Sequence, residues 1–188
     1  MNSDAEMMEI ERLRAIQDLQ LLDTPPEACF DELVHLAAQV CDASISRMSI
    51  VDAYRQWLKA SVGLAAREIS RRVYSGVQAI QQPNLLVVED ATRDERSAED
   101  PLVTGDPGIR FYAGMPLVLP DGHAIGTLCV IDTMPRTLTE IQKSALAVLA
   151  KQLIRVQRRS LEATLVSSPP SWNLKFHGPF DLGLQRNR

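Results

Sequence analysis

Between Arg110 and Asp132 the chain gathers a histidine, a cysteine and two aspartates: His123, Cys129, Asp121 and Asp132. An imidazole works as a general base when an oriented partner and a pocket accompany it. A thiol works as a nucleophile when nearby cations or a helix N-terminus lower its pKa. Neither support is present locally. His123 follows Asp121-Gly122, a hairpin-turn dipeptide, and so reads as an exposed turn residue. Cys129 stands between Leu128 and Val130 and reads as a small buried hydrophobe. Asp132 and Asp52 each end an apolar run, where a carboxylate commonly accepts from turn or helix-start amides. No second ligand stands at a matching spacing, so these residues predict neither a catalytic group nor a metal site.

The elements that position them follow from periodicity. Met7, Ile10, Leu13, Ile16 and Leu19 recur every third position and predict a helix over about 4–22. "DTPPE" stops it and starts another, with Thr24 and Glu27 at capping-box spacing and Phe30, Leu33, Val34, Ala37 and Val40 on one face. "SISRMSIVD" and "QWLKASVG" read as strands, the second setting Trp57, Lys59 and Ser61 against Leu58, Ala60 and Val62. Residues 64–82 read as a loop and a short helix, "LLVVED" as a strand, and 91–108 as a polar loop with one helical turn. "FYAGMPLVL" and "AIGTLCVID" form a hairpin around "PDGH". A long helix follows from about Thr139 to Leu165, capped by Thr137 with Glu140 or by Thr139 itself.

That last helix carries two apolar lines. Ile141, Ala145, Val148 and Gln152 mark one; Leu146, Leu149, Leu153 and Val156 mark the other. Two lines imply two packing partners, one of them outside the domain. The division is therefore an N-terminal helix (1–22), a main domain with the long helix (23–166) and a tail (167–188) whose Trp172, Phe176 and Phe180 could dock on the domain or a partner.

Composition narrows the classes further. The 188 residues suffice for one domain, and a net charge of −4 with a pI near 5.4 gives no footprint for nucleic acid. The apolar run around Leu85 to Val88 is far short of the roughly 20 residues of a membrane span, and the acidic N-terminus lacks a signal-peptide pattern. Cys29, Cys41 and Cys129 are widely spaced and odd in number, which predicts reduced thiols in a cytoplasm. No phosphate-binding loop, GxSxG, HExxH or kinase motif is present.

An α+β domain around an antiparallel sheet suits this order of elements. The stretches "LLDTPPEACFDELVHLAAQVC", "SIVDAYRQWLKASVGL", "DPLVTGDPGIRFYAGMPLV" and "DGHAIGTLCVID" resemble the GAF domain of bacterial sensor proteins, from about Leu19 to Val156. The resemblance implies a central sheet of about six strands flanked by helices, PAS-like in plan. Relatives of this subtype often carry "SFCAHAI" where this chain has "YSGVQAI", so the family cysteine falls on Gly76 and the family histidine on Gln78.

The resemblance implies a ligand cavity between sheet and covering loops, and places Trp57, Lys59, Tyr74, Gln78, Arg110, Phe111 and Tyr112 as its candidate lining. No cofactor is named by any motif. The expected function is a sensory or regulatory module, not an enzyme, that binds a small molecule or partner protein. It is expected to be a homodimer through its terminal helices, signalling in trans to a protein such as a histidine kinase or cyclase of a two-component system, since no output domain fits in the chain. The alternatives are a ligand-free dimerisation scaffold and, through a related GAF family, a free methionine sulfoxide reductase.

Overall fold

The computed structural model describes residues 3–71 and 73–167. Eleven elements follow in order among them: α1 (Ser3–Asp18), α2 (Ala28–Cys41), β1 (Ile45–Val51), β2 (Arg55–Val62), β3 (Glu68–Ser70), α3 (Tyr74–Ile80), β4 (Leu86–Val88), α4 (Pro101–Thr104), β5 (Phe111–Val118), β6 (Ala124–Asp132) and α5 (Glu140–Ser167). The strands form one antiparallel sheet in the order β3-β2-β1-β6-β5-β4. β1 and β6 lie at its centre, so both are covered on both faces and all seven residues of β1 are buried. The β5–β6 hairpin turns at Gly122, whose φ of 94° a side-chain-bearing residue rarely adopts.

α1, α2 and α5 pack on one face. Ile16, Phe30, Val34, Ala37, Leu146, Leu149 and Leu153 meet Met48, Ile50, Phe111 and Leu128 there. Each fully buried leucine of α5 contributes about 1.5–3 kcal/mol of apolar burial. On the opposite face a smaller cluster joins Ala79 of α3 and Ile109 to Ile45, Tyr112, Cys129 and Ile131. The sheet thus separates a helix-packed core from a loop-covered side.

Helix ends explain several boundaries. Thr139 caps α5: the Gln142 N–H donates to Thr139 Oγ1 at 3.3 Å, and the Thr139 N–H donates to Gln142 Oε1 at 2.9 Å. Asp100 caps α4 by accepting from the Leu102 N–H at 2.9 Å. The capping box expected at Thr24 and Glu27 does not form. Glu27 is itself the N-cap and its side chain makes no cap bond, while Thr24 Oγ1 donates to the Leu21 carbonyl at 2.7 Å. Glu27 is diverted because a buried lysine competes for its carboxylate.

Two further expectations are corrected. β3 lies in the stretch read as loop; it is three residues long at a sheet edge, too short to carry a period. Strict alternation along β2 fails because Met48 pairs with Ala60 and Ser49 with Leu58, leaving Lys59 unpaired in a bulge. Beyond the bulge Ala60 and Val62 join Trp57 on the α2 side.

The apolar lines of the terminal helices divide between core and surface. Leu146, Leu149 and Leu153 are buried, whereas Ile141 and Val148 are exposed. On α1, Ile16 is buried but Met7 and Ile10 are exposed. The tail residues Trp172, Phe176 and Phe180 lie outside the described residues.

Candidate functional site

Four polar groups meet on the loop-covered face of β1 and β6. Arg47 pairs with Cys129 in register, and Ser49 with Thr127. Arg47 Nε donates to Cys129 Sγ at 3.2 Å, and the Cys129 thiol sits 3.7 Å from the Arg47 carbonyl. Ser49 Oγ and Thr127 Oγ1 are 2.9 Å apart. Arg47 is only 1% exposed. Its Nη1 and Nη2 have no hydrogen-bond partner among the described residues. A guanidinium keeps its charge when buried, so this is a cation in a dry wall with one soft acceptor.

Tyr112 stands beside this group from β5. Its hydroxyl packs against Gly114, where any Cβ would collide with it. Burial pushes the phenol well above its usual range, the neighbouring Cys129 adds to the rise and Arg47 opposes it. The phenol therefore stays protonated. Its oxygen, like Gln56 Oε1, lacks a hydrogen-bond partner among the described residues. Each such orphan costs about 1–3 kcal/mol, more where the group is charged.

A cavity of about 220 Å³ opens beside Arg47. Ile45 and Ile131 join Arg47 from the sheet, while Leu64, Leu102 and Ile109 come from the covering segments. The β2–β3 connection and α4 thus roof a mostly apolar chamber bordered by Arg47, whose two terminal guanidinium nitrogens are themselves shielded. Such a chamber can select a ligand by shape and apolar contact.

The seven residues expected to line one pocket are spread over the fold. Trp57 and Phe111 are buried in the core beneath α2 and α5. Lys59 points the same way, as alternation from Trp57 expects: its Nζ donates to Glu27 Oε1 at 2.6 Å, Thr24 Oγ1 at 2.8 Å and the Pro25 carbonyl at 2.8 Å, over the Phe30 ring. Tyr112 lies on the opposite, loop-covered face. Gln78 is half-buried in α3, and the Tyr74 side chain lies outside the described residues. Arg110 pairs with Asp90 through two bonds of 2.8 Å, and that contact, against some desolvation, holds the Asp90 carboxyl well below its usual range.

Sequence reasoning missed Arg47 and Gln56. The available signal was a lone arginine inside "SISRMSIV", a run otherwise small or apolar. Gln56 donates from Nε2 to the Val73 carbonyl at 2.9 Å and fills the space against Gly76. Of the residues that open the question of chemistry, His123 sits at the hairpin turn and its backbone N–H donates to Asp121 at 3.1 Å. Asp132 accepts from the Ser44 amide at 3.3 Å and Arg136 at 2.7 Å; burial opposes ionisation there, yet these donors leave its pKa lowered. All three cysteines are free, and burial pushes the Cys41 thiol up to about 11.

The family model for the GAF domain matches residues 25–155, most of the chain and all six strands. The chain belongs to the GAF domain family. A cyclic di-GMP phosphodiesterase of Pseudomonas aeruginosa is 34% identical over 175 residues, which cover 92% of this chain and 30% of that protein. The chain thus spans about a third of the length of this curated relative. Among solved structures, the GAF domain of an Acinetobacter phosphoenolpyruvate-protein phosphotransferase superposes with a TM-score of 0.60 at 22% identity, covering 81% of this chain and 94% of that one. The PixJ GAF domain of Thermosynechococcus elongatus gives 0.59 at 21% identity, again over 81% and 94%. A free methionine-R-sulfoxide reductase of Neisseria meningitidis gives 0.59 at 19% identity, over 87% and 96%. These likenesses establish the fold.

One functional expectation is corrected by the comparison. The chain was expected not to be an enzyme, but a relative at 34% identity over nearly its whole length is named as one. No helix among the described residues is long and apolar enough to cross a membrane.

Proposed function

We propose that this GAF domain is the sensory or regulatory module of a signalling system that turns over cyclic di-GMP, binding a small molecule in the chamber beside Arg47. The observation that carries the reading is that chamber: about 220 Å³, mostly apolar and roofed by the β2–β3 connection and α4. The Pseudomonas relative supports the choice of signalling system. A phosphodiesterase is accordingly the output, ahead of the histidine kinase or cyclase that the sequence suggested, and the setting is the cytoplasm.

Coupling runs through β6. Ile131 lines the chamber, while its neighbour Val130 sits in the core that α5 closes. A ligand that prefers one placement of β6 shifts α5 by no more than that difference in affinity. The exposed Met7, Ile10, Ile141 and Val148 give the terminal helices an apolar surface for a homodimer.

Native mass spectra of the full chain before and after denaturation test this. A dimer carrying a small molecule that denaturation releases is the expected result. A protein that is empty when isolated, and takes up no small molecule from a metabolite extract, rejects the sensory reading.

A further inference from the structure

We propose that the chamber binds an uncharged, apolar small molecule about the size of one substituted ring, held by shape and hydrocarbon contact. The proposal rests on the sensory reading and names the ligand class.

Eight of the ten described residues that line the chamber are apolar, and the other two, Arg47 and Glu68, hold no charge ready for a ligand. The terminal nitrogens of Arg47 are shielded and do not open into the space. The Glu68 carboxylate is engaged by Arg55 at 2.6 Å with 59% of its side chain exposed, so a guanidinium and water already compensate it. The backbone of the floor is committed as well, since Ile45 pairs with Ile131 across β1 and β6. An ion entering here gives up its hydration for leucine and isoleucine, a cost that only a well-placed partner offsets. An apolar molecule meets no such cost.

Volume sets the size. A cavity of roughly 150 Å³ lined by Leu, Ile and Phe stays dry and accepts benzene. At about 220 Å³ this chamber has room for a ring with a small substituent, or for an aliphatic body of similar bulk. A cyclic dinucleotide is excluded by its phosphate charges and by its size, since drug-sized sites take roughly 300–1,000 Å³. The roof supplies the way in. Leu64 lies in the β2–β3 connection and Leu102 in the single turn of α4, and both are half-buried. Short segments of this kind open at lower cost than the paired strands of the floor. Once inside, the ligand bridges Leu102 and Ile109 to Ile45 and Ile131, joining the covering segments to β1 and β6.

The test is a heteronuclear NMR titration of the full chain with toluene, benzoate and benzylamine. The probes share a ring with one substituent and differ in charge, so this comparison needs no variant. Saturable shifts with toluene, centred on the amides of Leu64, Leu102, Ile109 and Ile131, are the expected result, with both ions at least about tenfold weaker. Leu64→Trp and Leu102→Trp fill the chamber from its roof. Each is expected to weaken toluene binding at least about tenfold while the amide signals of the helix-packed core stay in place. Binding that survives both substitutions, or shifts centred elsewhere, overturns the location. An ion that binds as tightly as toluene overturns the ligand class, and a chain with no saturable response to toluene overturns the proposal. Native mass spectra separate this outcome from the sensory reading. An ionic released molecule overturns the proposal and leaves that reading standing. A chain that binds toluene, yet is empty when isolated and takes nothing from extract, keeps the apolar site and loses the sensory role.

Discussion

The Lys59 ammonium lies 2.6 Å from Glu27 Oε1, across from the Phe30 ring at 5.1 Å, with the lysine side chain wholly buried and the glutamate side chain 36% exposed. This pair ties the start of α2 to a bulge in β2. It is a structural clasp on the face opposite the chamber. Lys59→Ala removes three hydrogen bonds and opens a cavity, while Glu27 rehydrates at the surface. A loss of about 3 kcal/mol is expected in urea unfolding. Native mass spectra of the variant, at temperatures where it stays folded, should show the same bound small molecule as the wild type. Loss of that molecule would place Lys59 in the site after all.

Gly76 and Gln56 make a second pair that the sequence could only half disclose. The family resemblance sets a cysteine at Gly76, yet any Cβ there would overlap Gln56 Oε1. Gln56 is fully buried and anchored through Nε2 to the Val73 carbonyl, so it yields only by giving up that bond. Restoring the thiol by Gly76→Cys is expected to cost about 1–2 kcal/mol, despite the better helix propensity of cysteine over glycine. In a Gln56→Ala background the same substitution should be neutral or stabilising. A double-mutant cycle by thermal unfolding measures the coupling, and additive effects would show that the two positions do not compete.

These two pairs mark what was legible in the chain. Two strand-like runs and the Asp121-Gly122 turn between them locate β5, β6 and their hairpin, because those signals are local. The 3.6-residue period finds α1, α2 and α5 for the same reason. Arg47 went unread because its burial depends on β6 pairing with β1 some 80 positions away, and the lone arginine in an apolar run does not by itself report that pairing. Lys59 kept its expected side, but the bulge moved Ala60 and Val62, and a bulge is set by both strands together. Trp57, Phe111 and Tyr112 are aromatic residues of similar strands, and nothing in their neighbours reports which face each takes. The spread of the candidate residues over two faces follows from that ambiguity.

Acid should loosen the first helix. Glu9 accepts from Arg12 Nε at 2.8 Å and from Arg71 Nη2 at 2.6 Å, and Arg12 Nη1 reaches the Val51 carbonyl at 2.7 Å. The Arg12 hydrogen bond, opposed by burial and aided by Arg71, brings the Glu9 carboxyl down to about 2 from 4.5. A depressed folded pKa stabilises above the unfolded value and loses that stabilisation as pH falls. The window therefore runs from about 4.5 down to about 2. With 37% of the side chain exposed, solvent screening reduces the contribution to about 1 kcal/mol. The protection factors of the α1 amides, taken against the intrinsic exchange rate at each pH, should fall across this window, and Glu9→Gln should already show the lower protection at neutral pH. An unchanged profile in the variant would mean that α1 is held by Ile16 and Leu19 alone.

Val148 and Leu149 are neighbours in sequence that face opposite ways, and the contrast tests the dimer. Val148 is 54% exposed on the line it shares with Ile141, while Leu149 is 7% exposed within the core under β5 and β6. Val148→Glu adds a charge to the exposed apolar line that the proposed dimer would cover. It is expected to convert the dimer to a monomer in sedimentation velocity while changing monomer stability by less than about 0.5 kcal/mol. Leu149→Ala removes buried methyl groups, so a cost of about 2–5 kcal/mol in unfolding is expected with the dimer retained while the fold holds. If the wild-type chain sediments as a monomer, or if Val148→Glu leaves a dimer intact, the terminal helices are not the contact. If the glutamate unfolds the chain, the second apolar line of α5 belongs to the core rather than to a partner.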